Sequence, residues 1–138
     1  MFTARNIHYE IADRVQAMAY GGIGAMHLLA RQLGLIDAID RRLHVLKIRV
    51  VYHESDHVLN LAYDALCDGT CLQDLELRRQ DEVFLITLGA RRIPDPTTAG
   101  DFYCRFHAGH IRTLIDLVND VRQRVWARQP TSWRRCGA

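Results

Sequence analysis

Residues 53–57 read HESDH, a match to H-E-x-x-H. In that pattern two imidazoles one helical turn apart hold zinc, and the glutamate activates the bound water. The chemistry requires all five residues to be helical, so that His53 and His57 point the same way. Ser55 is the best cap for the helix that follows, because its hydroxyl can accept a bond from a backbone N–H of the first turn. A helix starting there leaves His53 and Glu54 outside it, and the two histidines do not chelate. A second metal set pairs Cys67 and Cys71 with Cys104 and His107, a spacing compatible with structural zinc. The same letters also describe free cysteines that pack as small hydrophobes. There is no Gly-x-Ser-x-Gly elbow, and the two serines, Ser55 and Ser132, lie at a helix cap and in the tail. The reading expects no catalytic residue, no metal ligand and no cofactor.

Charge is the other candidate for chemistry. Residues 1–77 carry 7 Lys/Arg against 10 Asp/Glu, a net of −3, whereas residues 78–138 carry 11 against 6, a net of +5. Every basic residue in the second part is an arginine. Arginine combines phosphate binding with a planar fork for base edges, so this half is suited to nucleic acid. The alternative is a solvated arginine-rich surface.

The elements that must position these groups are mostly helical. The first helix is expected from about Gly22 to Leu33, with a break at Gly34 and a second helix ending near Leu43. The glycines Gly21, Gly22 and Gly24 lack the third glycine of a dinucleotide fingerprint and are read as close-packing or turn positions. From residue 57 onward, Val58, Leu59, Leu61, Ala62, Ala65 and Leu66 form one side of a helix, with His57, Asn60 and Asp64 opposite. Short helices follow over about Leu72–Arg79 and Asp81–Leu88, the latter stopped by Gly89. Thr97 or Thr98 caps a helix running to about Phe106, with Ala99, Phe102, Tyr103 and Phe106 on its inner face. A last helix, about Gly109–Arg128, repeats Ile111, Leu114, Val118, Val121 and Val125 at heptad spacing. Only Asn6–Ile11 alternates like a strand, and Lys47–Tyr52 is β-rich but short. The fold class expected is all-α: a single helical domain, with an extended segment near the N-terminus as an addition.

At 138 residues the chain can bury one core but not two sizeable ones. No apolar run approaches the ~18–20 residues that span a bilayer. The first residues, MFTARNIHYEIADRV, do not read as a signal peptide. A cytoplasmic location with reduced thiols is the expectation.

Two strings are more specific than these patterns: DLELRRQD at 74–81 and IPDPTTAGDF at 93–102. With the surrounding residues, about 7–130, they closely resemble the N-terminal region of bacterial insertion-sequence transposases with a DDE catalytic domain (group 1). The resemblance implies three parts: an N-terminal helical segment over 1–50, a helix-turn-helix-like DNA-binding region over 51–130, and an aberrant tail over 131–138. In that family a ribonuclease-H-like domain follows, in which three carboxylates hold Mg²⁺ for strand transfer. This chain stops before those carboxylates, so the expectation is a truncated transposase fragment that is not itself an enzyme. It would bind the DNA of insertion-sequence ends. The expected contacts are Arg78, Arg79, Arg91 and Arg92 as backbone clamps, Thr97 at a phosphate-binding helix start, and Thr98, Asp101 and Arg105 on the outer face of a recognition helix. The alternative is a structural remnant that pairs with a second copy through the 109–128 helix and does not bind DNA.

Overall fold

The computed structural model describes residues 20–47 and 51–128. Among them the chain forms seven α-helices and one 3-10 turn, and no strand. The elements are α1 (Ile23–Gln32), α2 (Leu35–Arg42), α3 (Glu54–Leu66), the 3-10 turn (Leu72–Asp74), α4 (Leu75–Gln80), α5 (Glu82–Leu88), α6 (Pro96–Tyr103) and α7 (Ala108–Arg128). The all-α expectation holds. The alternating segment 6–11, the middle of the β-rich stretch (residues 48–50) and the tail (129–138) lie outside the described residues.

Glycines set two of the breaks. Gly34 (φ 69°) ends α1 and Gly89 (φ 65°) ends α5, both in the left-handed region where a side chain is strained. Gly24 acts differently: a Cβ there would sit 2.6 Å from Thr87 Cγ2, so the absent side chain lets α1 and α5 approach closely.

Two apolar clusters hold the helices together. Ile23, Leu59, Tyr63, Cys67, Phe84 and Ile93 form one, joining α1, α3 and α5 to the loop before α6. Ile39, Leu43, Val45, Phe102 and Leu117 form the other, joining α2 and the segment after it to α6 and α7. Residues on either side of position 50 thus share both clusters. Polar ties reinforce α7, where Arg124 donates to the Leu33 carbonyl (2.9 Å) and Arg42 pairs with Asp120 (2.7 Å). The register of α7 differs from the heptad expectation. Leu117 is buried and Leu114 packs on the second cluster, while Ile111, Ile115 and Val118 face outward.

The largest departure from the sequence reading is in α3. Its polar residues His57, Asn60 and Asp64 are buried, whereas Leu61 is 40% exposed, Leu66 is 55% exposed, and Ala62 and Ala65 are also on the surface. The wide inner arc is set by Leu59, Tyr63 and Cys67; its polar members Asn60 and Asp64 are tolerated because other elements supply partners, while the His57 ring stacks on Phe102. Asn60 donates to the Pro94 carbonyl (3.2 Å), and Asp64 accepts from Arg78 Nε (3.2 Å). Near the helix start, the Asp40 carboxylate accepts from both the amide and the hydroxyl of Ser55, each at 2.9 Å. Glu54 accepts from the Leu46 amide at 3.3 Å. Buried polar groups carry little net cost once bonded in this way.

Candidate nucleic-acid interface

The helix start decides the HESDH question, although not at the residue expected. The cap is His53, in extended backbone, and Asp56 accepts from the His53 amide at 2.8 Å. Ser55 is therefore inside the first turn, with its hydroxyl turned to Asp40. A carboxylate at the third helical position can serve the cap amide as well as a hydroxyl at the cap can serve the helix, so the cap moved two residues upstream. His53 remains outside the helix and is exposed, while His57 is 2% exposed and stacks on Phe102 with ring centroids 4.3 Å apart. Among the described residues no three His, Cys, Asp or Glu side chains are grouped to hold a metal ion. Of the other set, Cys67 is buried in the first apolar cluster, and Cys71 and Cys104 are exposed. His107 stacks on His110 at 3.6 Å.

α6 is seated as its pattern suggested. Ala99 and Phe102 are buried, Tyr103 and Phe106 pack on the second cluster, and the Tyr103 hydroxyl donates to the His57 carbonyl. Burial raises the Tyr103 phenol well above its usual range. Gly100 faces Leu72, whose Cδ1 lies 3.6 Å from where a Cβ would be, so α6 rests on the 3-10 turn. Asp101 and Arg105 are exposed, and Thr98 is half-buried beside them.

The start of α6 corrects one expectation. Asp95, not Thr97 or Thr98, is the cap, with Pro96 in the first turn and the helix ending at Tyr103. The Asp95 carboxylate accepts from the Thr98 amide (3.0 Å) and the Thr98 hydroxyl (2.7 Å). Those bonds, the hydroxyl's first, hold its pKa below the usual carboxylate value. An anion thus already occupies the helix start, so the expected phosphate site at Thr97 is filled from within the chain.

The arginines divide into two groups. Arg78 is turned inward: it bonds Asp64 and the Cys67 carbonyl and lies over the Tyr20 ring at 5.1 Å. Arg79 is on the surface but paired with Glu76 at 2.8 Å. Arg91, Arg92 and Arg105 are exposed and form no ion pair among the described residues; Arg92 lies over the Tyr52 ring at 5.9 Å. Three guanidinium groups without ion pairs among the described residues thus lie in the loop before α6 and just past its end.

Two features of this region were not read from the sequence. A recess of about 130 Å³ lies between Leu46, His57, Phe102 and the outer residues Thr98, Asp101 and Arg105. His57 forms its floor, with a buried Nδ1 that has no hydrogen-bond partner among the described residues. Burial lowers the His57 pKa, with Arg105 adding to the effect while Asp56, Glu54 and Asp95 oppose it. A larger cavity of about 410 Å³ opens beside the Leu88–Pro94 loop, with Arg91 and Arg92 in its wall. Neither could be found from periodicity, since each joins residues from distant elements.

No family model, curated protein or solved structure matches this chain. None of the described helices is long and apolar enough to cross a membrane.

Proposed function

We propose that the chain binds double-stranded DNA as the N-terminal region of an insertion-sequence transposase, supplying end recognition rather than strand-transfer chemistry. The observation that carries this reading is α6. Its aromatic face is locked into the core, Asp101 on its outer side is exposed, and Arg91 and Arg92 in the preceding loop and Arg105 just past its end form no ion pair among the described residues. Locked helices with free polar faces suit base-edge contact, and flexible cations beside them suit phosphates. Arg105 is the candidate donor to a guanine edge, and Asp101 the candidate acceptor for a cytosine amine. Asp101 is poorly suited to a phosphate, which favours a base as its partner. Arg91 and Arg92 take the backbone. Arg78 and Arg79 drop out of the clamp, because one is buried in an ion pair and the other is neutralised by Glu76. The helix-turn-helix likeness is loose: seven residues separate α5 from α6, and α6 rests on the 3-10 turn.

A salt titration of binding to mixed-sequence and insertion-sequence terminal duplexes tests this. With two phosphates neutralised by Arg91 and Arg92, log K should fall against log salt with a slope of about −2. Arg91→Ala with Arg92→Ala should flatten that slope by about 2 and weaken all sequences alike. Arg105→Ala should cost about 1–3 kcal/mol on a preferred site only. Absence of binding at low salt sinks the proposal.

A second reading has one observation in its favour. Ile111, Ile115 and Val118 form an exposed stripe on α7, continued by Trp126 beneath Arg122 at 5.0 Å. A second copy packed there would give a dimer whose stability is nearly independent of salt, which sedimentation at two ionic strengths distinguishes.

A further inference from the structure

The 410 Å³ cavity beside the Leu88–Pro94 loop is of the size that takes small organic ligands, and its parts differ in chemistry from floor to mouth. Ile36, Leu59 and Leu88 supply an apolar floor. Tyr52 stands in the wall, immobilised at both ends: its hydroxyl donates to the Ile93 carbonyl (3.1 Å) and the Arg92 guanidinium lies over its ring. A ring held in this way is a stacking surface that loses little entropy on binding. Asp56 also lines the cavity, with Oδ2 accepting the His53 amide and Oδ1 in no hydrogen bond among the described residues. Arg91 and Arg92, both exposed, supply two positive charges to the same cavity.

An aromatic wall, one open carboxylate acceptor and two arginines select against most ligands. A bare anion is attracted by the arginines but repelled by Asp56. A simple cation is attracted by Asp56 but repelled by the arginines. A purely apolar molecule leaves all three unpaired. A flat base with an exocyclic amine and an attached phosphate satisfies all of them. We propose that this cavity binds one nucleotide whose base carries an exocyclic amine: the ring against Tyr52, the amine donating to Asp56, the phosphate on Arg91 and Arg92. The nucleotide could be free or an unstacked residue of bound DNA, and the chemistry is the same for both. The proposal rests on the cavity alone; only the DNA-borne source leans on the duplex-binding reading.

Calorimetric titration of the 138-residue protein with deoxyadenosine, deoxycytidine and thymidine monophosphates and with inorganic phosphate tests the free source. The DNA source is tested with a duplex carrying one unpaired adenine, against its fully paired counterpart. The expected result is that an amino-bearing nucleotide, or the bulged duplex, binds about tenfold tighter than its control, since thymine has no exocyclic amine to donate to Asp56 and offers only its ring N3–H. Val51→Trp, which adds bulk at an exposed position in the cavity wall, should remove that preference and leave phosphate-driven affinity unchanged. Unchanged helical signal and melting temperature would establish that the variant folds, and Asp56→Asn, which retains a cap acceptor, provides a second variant that should lose the preference. Preference in the mononucleotide arm assigns a free nucleotide, and preference only in the bulge arm assigns an extrahelical one. No preference in either arm, or a preference that survives both variants, overturns the proposal. Arg105→Ala separates the two readings, because it should weaken paired duplex and leave the mononucleotide arm untouched.

Discussion

Helices α3 and α6 both carry a polar and an apolar side, yet they are inserted in opposite senses. α6 buries Ala99 and Phe102 and exposes Asp101. α3 buries His57, Asn60 and Asp64 and exposes Leu61 and Leu66. The difference lies in what surrounds each. Around α6 the buried neighbours are mainly Ile39, Leu43 and Leu117, with the His57 ring and carbonyl as the polar exception. Around α3 they include Arg78, the Pro94 carbonyl and Asp40, each already oriented by its own element. Amphipathic spacing says which residues share a side; the neighbours decide which side goes in. His57 is where the two helices meet, since its ring is the surface on which Phe102 stacks.

The contrast can be broken most severely at Phe102. Phe102→Ala should cost about 3–5 kcal/mol in a denaturant titration, because it removes the ring packed among Ile39, Leu43 and Leu117 and stacked on His57. A loss under 1 kcal/mol would mean that α6 is not anchored as described.

Next comes the polar interior of α3. Asp64→Ala should cost about 3 kcal/mol, mainly by leaving Arg78 buried without its partner. The double change Asp64→Leu with Arg78→Met should recover a large part of that loss. If it does not, the pair is needed for more than mutual neutralisation. Gly69→Ala probes the same site from outside, since its Cβ would fall 2.1 Å from Asp64 Oδ2 and displace the carboxylate. Burial raises the Asp64 pKa despite the opposing bond from Arg78, so the ionised pair is held at a desolvation cost. A raised carboxylate pKa means the folded state binds the proton more readily, and this group's contribution therefore declines as pH rises through the acid range.

The histidines give an effect of intermediate size and opposite sign. Burial lowers the pKa of both His57 and His27 below the ordinary 6.5. The unfolded chain then binds protons that the folded chain refuses, so their contribution is complete above about pH 6.5 and is lost as pH falls below it. Each such group contributes a slope of at most about 1.4 kcal/mol per pH unit. His57→Phe should retain the stack on Phe102 and make the stability profile flatter between pH 5 and 7 in thermal melts. An unchanged profile would locate the acid sensitivity elsewhere.

The smallest effect is expected on the exposed side of α3. Leu61→Gln and Leu66→Gln should each change stability by less than about 0.5 kcal/mol, because neither side chain is covered. A larger loss from either would show that this side is packed in solution, and the inverted insertion of α3 would need revision.

How much of this was legible beforehand varies by element for physical reasons. The boundaries of α1, α2, α5 and α7 follow from Gly34, Gly89, Asp81 and the apolar spacing, all local signals. The α3 start was misplaced by two residues and the α6 start by two or three, because several acceptors compete there: Asp56 and Ser55 in one case, Asp95 and Thr97 in the other. Asp95 also closed a helix start that the sequence left open to phosphate. Among the arginines, Arg105 was expected on the outer face from its spacing to Thr98 and Asp101, but α6 ends at Tyr103 and Arg105 lies exposed two residues past it. Nothing in DLELRRQD tells Arg78 from Arg79, yet one is buried against Asp64 and the other is on the surface.

By itself the sequence determined that the chain is helical, where most helices break, and that Phe102 anchors α6, since these depend on backbone preference and on the size and period of side chains within a few residues. Only the tertiary structure decided that α3 is inserted polar side inward, that Arg78 leaves the basic surface, and that Tyr52, Asp56 and Arg91 line one cavity. Each of those outcomes depends on a partner from another part of the chain, such as Arg78 for Asp64, 14 residues on, or Pro94 for Asn60, 34 residues on. A local pattern carries no information about which distant group will arrive beside it.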